Sequence, residues 1–414
     1  MSNGLTEIKL PEYIAKQFEQ YTKLLDLDNN PYQEGRTYPV ELVKQVGAKL
    51  FDLLIYQKED PEVAKLLDVI KRKANGEKIA AVKITGGPKD PEHLIIDAPY
   101  HDQEFDYRNN PTSRGKHSKV AEWFELSVGA LFGYVPNLDP HDYNGYKAFQ
   151  TISPKEGKEA TSSGQGANVD FRMHTENSYG NPFSTKEDTL KYLKSDLGLD
   201  LEAITKARGI TVEKLIDGMI TCSNKEIDGL ILTAVKNKNT PTRIITAEDF
   251  GEALKKEFSA DEIKKISEIN AAFITGATQI AHVGTIGFIG KMIKLDEAGK
   301  VTDMMFNFAD GRMDYFGTNP NEKELFERFH AFVKKADIGK DILLQPGQYI
   351  FLDNSGTCHA RDPLAQEDFT IPLQKGDLLD IRRLVREQLR NAGAGFVKMV
   401  ASSSKTGKDA FQKL

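Results

Sequence analysis

His174 and Glu176 are the residues of this chain whose types and spacing point most directly to chemistry. They close the run Val169-Asp170-Phe171-Arg172-Met173-His174-Thr175-Glu176, where apolar and polar residues alternate with the period of a strand. On extended backbone, side chains two apart leave the same face. An imidazole and a carboxylate so placed can bind one metal ion side by side, and they then need a third ligand from elsewhere. A distant segment offers one. Pro346-Gly347 reads as a turn, Gln348 to Leu352 as an apolar strand and Asp353-Asn354 as its end, and Cys358-His359-Ala360-Arg361 follows. Further on stands Arg382-Arg383-Leu384-Val385-Arg386. Two neighbouring ligands, a late histidine and a later arginine have the layout of a 2-His-1-carboxylate triad with an anchor for an oxo-acid. Such a triad holds Fe(II) and leaves coordination positions open. Each piece taken alone reads more simply as a satisfied histidine or a surface arginine; it is their order along the chain that favours iron.

The elements that must position these residues are short strands separated by long segments. Residues 11–75 have helical periodicity, carried by Val43, Val46, Leu50, Leu53 and Leu54 and then by Leu66, Leu67, Val69 and Ile70. Ile79–Ile84 is expected to be a strand ending in the Gly86-Gly87-Pro88 turn. Val120–Phe132 is expected to be a helix, with Trp123 in the core. Strands are expected at 147–154, 230–235, 304–308 and 346–354, with another starting in 239–246 and helices at 247–270 and 321–336. Strands are expected to continue to the C-terminus, with a frayed tail after Ser402. Gly284-Thr285-Ile286-Gly287-Phe288-Ile289-Gly290 lacks the Gly-Lys-Ser/Thr ending of a phosphate loop and reads as strand or turn. Residues 181–225 have the apolar stripes of a helical insertion. Such an insertion can form a lid over a site, and an added layer without that role fits the residues equally well. The pattern does not suit a parallel βαβ sheet. It suits one domain over 1–414 of mixed α and mainly β structure: a double-sheet antiparallel jelly roll at 78–390, surrounded by helices.

Composition narrows the function classes. Hydrophobic content of 39% and charged content of 28% are those of an ordinary globular protein. A net charge of −6 without a long basic run argues against a nucleic-acid partner. No apolar run reaches the roughly 20 residues that span a bilayer. The two cysteines, Cys222 and Cys358, make neither a disulfide framework nor a zinc ribbon. A reducing cytoplasm is the simplest setting, and no signal peptide is read at the N-terminus.

With these residues in view, the chain resembles the clavaminate synthase-like family of Fe(II)/2-oxoglutarate-dependent oxygenases, closest to the branch that hydroxylates free amino acids. The likeness rests on His174-Thr175-Glu176, on Asp353-Asn354 ahead of His359-Ala360-Arg361, and on Phe149-Gln150-Thr151-Ile152-Ser153-Pro154 with the Ser162-Ser163-Gly164 loop. It also rests on Arg382 and Arg386 near the C-terminus. The resemblance implies that His174, Glu176 and His359 bind iron and that O2 and 2-oxoglutarate are co-substrates. It implies that Arg382, with Thr242 (Thr240 the rival), holds the distal carboxylate of 2-oxoglutarate, with Arg383 or Arg386 as the alternatives to Arg382. Gln150 and Ser163 would hold the backbone of a small amino acid substrate. The family's arginine hydroxylases carry two close acids that grip a guanidinium. Asp310 and Asp314 lie in the corresponding region without matching their register, so a neutral or at least non-arginine substrate is expected. Desaturation, cyclisation or a sulfonate substrate on the same iron core, and a metal-binding cupin-like protein without enzymatic activity, are the competing readings.

Overall fold

The computed structural model describes residues 4–24, 40–89, 119–137, 149–152, 169–223, 227–275, 284–307, 311–335, 338–364 and 382–404. The Ser162-Ser163-Gly164 loop, Asp310 and the tail beyond Ser404 lie outside the described residues.

The largest sheet is built from β1 (Leu5–Lys9), β2 (Ala81–Thr85), β3 (Tyr134–Pro136), β4 (Phe149–Ile152), β6 (Gly229–Asn237), β14 (Gln348–Asp353) and β16 (Arg382–Asn391). Its strand order is β1-β2-β14-β6-β16-β3, with β4 also on β16. All pairings are antiparallel except β1 on β2. A second sheet joins β5 (Phe171–His174), β7 (Thr242–Thr246), β13 (Lys340–Ile342) and β15 (Thr357–Arg361) in the order β13-β7-β15-β5, antiparallel throughout.

Side-chain alternation explains how these sheets are covered. On β14, Tyr349 and Phe351 join the cluster under the helices α1 (Glu12–Leu24), α2 (Val40–Tyr56), α3 (Pro61–Ala74) and α4 (Lys119–Leu131). Trp123 lies in that cluster, as expected of a core residue. Ile350 and Leu352 point the other way and meet Leu230, Leu232 and Leu384 of the same sheet and Ile244 and Ile342 of the second one. Both faces of β14 are therefore dry, and the strand reads as an unbroken apolar run. The second sheet alternates in the same way. Met173, Ile245 and Cys358 pack outward against α8 (Ala247–Glu257), α9 (Ala260–Glu268) and α10 (Pro320–Lys335), so their neighbours His174, Ile244 and His359 take the opposite, inward face.

The expected helical insertion corresponds to α5 (Lys186–Lys191), a π-helical turn (Tyr192–Asp196), α6 (Leu201–Ala207) and α7 (Val212–Thr221). Its apolar stripe packs on a three-stranded sheet of β8 (Asn270–Ile274), β9 (Ile286–Lys291) and β12 (Met313–Tyr315) through Ala272, Ile289 and Phe316. The glycine-spaced stretch is β9, and Gly287 is glycine because a Cβ there would lie 2.2 Å from the Tyr179 carbonyl oxygen.

Two expectations need correction, and one strand carries no sequence signal. The strand expected at 304–308 is shifted: β11 (Val301–Met304) pairs with β10 (Ile293–Leu295), and Asn307 makes only an isolated bridge to His174. β1 was not anticipated, because five residues with one fully buried side chain give little periodicity. The C-terminal segment does not continue as strand but forms the helix α11 (Ala394–Ser402), whose Phe396, Val397 and Val400 complete the cluster under the helices. Among the described residues no helix is long and apolar enough to cross a membrane.

Both cysteines are buried and free, and burial raises the Cys222 thiol to about 11 and holds Cys358 well above the ordinary thiol value. Since the thiolate is the reactive form, the folded protein is expected to resist alkylation by iodoacetamide at neutral pH, with both thiols reacting once it is denatured. Rapid labelling of the folded protein, read by intact mass, would contradict this placement.

Candidate active site

The pairing of β15 with β5 sets His359 directly opposite His174, and their rings lie 4.2 Å apart between centroids. Glu176 completes the group, but not as strand continuation. β5 ends at His174, and Glu176 stands in the turn that follows, just before Asn177 in the left-handed region (φ 51°), a conformation that asparagine tolerates better than most residues. The Asn354 side chain holds this turn in place. Its Oδ1 accepts from Glu176 N at 2.8 Å, and its Nδ2 lies 3.0 Å from the Glu176 carbonyl and 2.7 Å from that of Ile227. Thr175 N donates to the Phe306 carbonyl at 2.8 Å, which lays the 304–307 segment alongside the site.

His174, Glu176 and His359 each offer one ligand atom, all within 4.8 Å of one another. His359 Nε2 is 3.4 Å and His174 Nε2 3.9 Å from Glu176 Oε1. His174 Nδ1 is 2.8 Å from the Arg172 carbonyl oxygen. Donation from Nδ1 to that carbonyl leaves Nε2 as the lone-pair nitrogen. His174 Nε2 is buried without a hydrogen-bond partner among the described residues. Burial, together with the neighbouring His359, pulls His174 down to about 3, so the ring is neutral at physiological pH, as a metal ligand must be. Burial works against the Glu176 carboxylate, but Arg386, His359 and His174 outweigh it and keep it well below the usual range. Two neutral-capable imidazoles and one ionised carboxylate facing one point fit ferrous iron, and no thiolate is present to select a softer metal.

Behind the triad lies a cationic wall. On β16, Arg382 and Arg386 are both buried. Arg386 Nη1 donates to Glu176 Oε1. Arg382 Nη2 donates to Thr242 Oγ1 at 3.3 Å, while its Nε has no partner among the described residues. Burial, and then the nearby Arg361, push Arg382 down to about 9, which still leaves it charged at neutral pH. A buried guanidinium so sparsely matched favours an anion, ideally a carboxylate presented to its planar fork.

The remaining expected residues are dispersed. Gln150 lies on β4, with its backbone in register opposite Arg386. Thr240 is buried and donates its backbone N–H to Asn237 Oδ1; its hydroxyl, unlike that of Thr242, makes no hydrogen bond among the described residues. The Asp314 carboxylate takes a 2.7 Å ion pair from Arg208 on the C-terminal cap of α6. One residue that the fold brings to the site carries no sequence signal for that role: Asn354 reads only as the end of a strand.

Loss of a partner that orients a metal ligand commonly reduces affinity by about 10- to 100-fold. Asn354→Ala is expected to weaken ferrous-iron binding by that order while β14 still forms. Calorimetric titration under anaerobic conditions measures the first, and circular dichroism the second. Undiminished affinity would show that the Glu176 turn holds without its clamp.

No family model matches the chain, and no curated protein matches it. Solved structures do resemble it over nearly its whole length. The non-heme iron oxygenase OrfP, in complex with Fe, succinate and (3R,4R)-dihydroxy-L-Arg, superposes with a TM-score of 0.60 at 16% identity, covering 93% of this chain and 94% of that one. The same oxygenase with Fe and alpha-ketoglutaric acid gives 0.59 at 15% identity, over 94% of each chain. An asparagine oxygenase with Fe(II), 2S,3S-3-hydroxyasparagine and succinate gives 0.57 at 13% identity, over 92% of each. The chain thus has the fold of the non-heme iron oxygenases.

Proposed function

We propose that this chain is an Fe(II)/2-oxoglutarate-dependent dioxygenase that hydroxylates a C–H bond of a small free L-amino acid or a close derivative. The observation that carries the reading is the convergence of His174, Glu176 and His359 within 4.8 Å on the inward face of the second sheet. The buried Arg382–Thr242 pair supports it, as does the fold shared with oxygenases whose structures hold iron with succinate or alpha-ketoglutaric acid. In this reading the two facing sheets are a double-stranded β-helix, or jelly roll, at 78–390 of a single domain, with 181–225 as an insertion.

His174, Glu176 and His359 would hold the iron. When bound, ferrous iron with 2-oxoglutarate supplies the oxidation: a substrate C–H, O2 and 2-oxoglutarate become C–OH, succinate and CO2, one oxygen atom going to each organic product. The chain's own residues position the reactants. Arg382 and Thr242 take the distal carboxylate of 2-oxoglutarate. Arg386 fixes the Glu176 carboxylate and shields its charge. Gln150 and Ser163 are assigned to the substrate's backbone. A protein that merely stored a metal would have no use for a buried, half-satisfied guanidinium such as Arg382.

Anaerobic addition of Fe(II) and then 2-oxoglutarate is expected to give a visible charge-transfer band, and its absence would sink the reading. With air and ascorbate, one free L-amino acid in a mixture is expected to gain one oxygen atom, with succinate formed in equal amount by mass spectrometry. A product lighter by two hydrogens would replace hydroxylation with desaturation.

A further inference from the structure

The Asn354 side chain can hold the Glu176 turn only if its own backbone is fixed, and the residue before it supplies the means. Asp353 ends β14 and is buried. Its carboxylate ties together the turn that follows. Oδ1 accepts from Gly356 N at 2.8 Å and from Ser355 Oγ at 2.9 Å. Glycine at 356 permits this approach, since a Cβ there would stand 3.2 Å from Asp353 Oδ1. Oδ2 accepts from Tyr134 Oη of β3 at 3.0 Å. Burial, and then Asp353 itself, raise the Tyr134 hydroxyl well above its ordinary value, so it keeps the proton it donates. Lys73 of α3 in turn donates to Tyr134 Oη at 3.2 Å. Lys78 Nζ lies 3.8 Å from Asp353 Oδ1 and donates to Asp303 Oδ1 of β11 at 2.9 Å. Within the same turn, Asn354 N donates to the Asp228 carbonyl at 2.9 Å. A buried carboxylate is costly to desolvate and is kept where its partners are well placed. Here those partners fix the direction in which its neighbour Asn354 points.

We propose that Asp353 is a positioning residue for the metal centre: by fixing the 353–356 turn it holds Asn354 against Glu176, and so sets the carboxylate ligand before any ion arrives. This rests on the dioxygenase reading and adds to it a layer of control outside the triad. Tyr134, on the large sheet, acts on a ligand beside the second sheet through two intermediaries, Asp353 and Asn354. The direction of influence is specific. Loosening the turn frees Glu176, while the pairing of His174 with His359 stays in place.

The test begins with the intact wild-type protein, titrated calorimetrically with Fe(II) under anaerobic conditions. If it binds none, the dioxygenase reading fails and this proposal with it. With binding established, Asp353→Ala is expected to weaken Fe(II) affinity by about tenfold or more, the scale on which the outer partners of metal ligands act. Asp353→Asn, which keeps an acceptor for Gly356 N, is expected to lose less. If the effect passes through Asn354, the two losses do not add: the double variant of Asp353→Ala with Asn354→Ala is expected to bind Fe(II) as weakly as Asn354→Ala alone. A second readout needs no metal. In the iron-free protein the Glu176 amide, which donates to Asn354 Oδ1, is expected to exchange its hydrogen about tenfold faster in Asp353→Ala and in Tyr134→Phe, as a local opening does. Val400→Ala, in the core of α11, is the control for lost stability alone and is expected to leave Fe(II) affinity unchanged. If Asp353→Ala does not fold, Tyr134→Phe, which removes one hydroxyl, carries both measurements. Failure of either readout to move would overturn the proposal. So would full additivity in the double variant, which would make Asp353 a stabilising residue with no path to Glu176.

Discussion

Replacing His174 or His359 with alanine is expected to abolish ferrous-iron binding and turnover while leaving the protein folded. Each ring supplies one of three ligand atoms, and two cannot define the site. The fold survives because the loss is chemically mild. His174 is neutral when folded, and its Nε2 satisfies nothing in the metal-free chain, so truncation removes a buried polar atom along with some packing. Glu176→Ala should behave differently. It removes the Glu176 Oε1 acceptor of the buried Arg386 cation, and breaking a buried pair from one side typically costs about 3–5 kcal/mol. The three variants are thus expected to lose iron alike, measured by elemental analysis after desalting, and to part company in thermal melts, with Glu176→Ala the least stable. Full activity in either histidine variant would remove the triad from the mechanism.

The second large effect belongs to Arg382. Arg382→Ala is expected to raise the 2-oxoglutarate requirement by about two orders of magnitude or more, since losing the hydrogen-bonded partner of a buried charge costs about 2–5 kcal/mol. The same residue should be a burden to the empty protein. Its folded pKa of about 9 lies below the ordinary value of 12.5, so the charged form is disfavoured by folding. That penalty is present in full below about pH 9 and fades as pH rises from there toward 12.5. Arg382→Met, which keeps much of the volume without the charge, is therefore expected to raise the melting temperature of the ligand-free protein at neutral pH and to abolish its further rise on adding 2-oxoglutarate. If Arg386→Ala raises the 2-oxoglutarate requirement and Arg382→Ala does not, the assignment along β16 is wrong.

The triad was legible because its signal is local at one end and contextual at the other. His174 and Glu176 are neighbours in sequence, and His359 follows a strand whose apolar run, Tyr349 to Leu352, is buried on both faces. Arg382 was legible by chemistry and order, and it stands on a strand, as expected there, where Arg382, Leu384 and Arg386 share one face. What stayed hidden depends on tertiary approach. The Asn354 clamp on Glu176 joins residues 178 apart in the chain, and no periodicity announces it. The helix α11 was missed because its buried face is defined only by the helices it meets.

The β5–β15 pairing that sets His174 opposite His359 would also make an iron ion held there a reporter of folding. β15 also pairs with β7, so the site depends on pairings between segments far apart in the chain, and such non-local pairings form late and slowly. His174 and His359 stand 185 residues apart in the chain (359 − 174) and meet through the β5–β15 pairing, so the unfolded ensemble should bind the ion poorly. By mass action, a metal present at a hundred times its dissociation constant then adds about 2.7 kcal/mol to global stability. Unfolding by any route, even one that starts at the far helices, should release iron in the same cooperative step, and cellular iron supply would set how much of this protein survives as well as how fast it turns over.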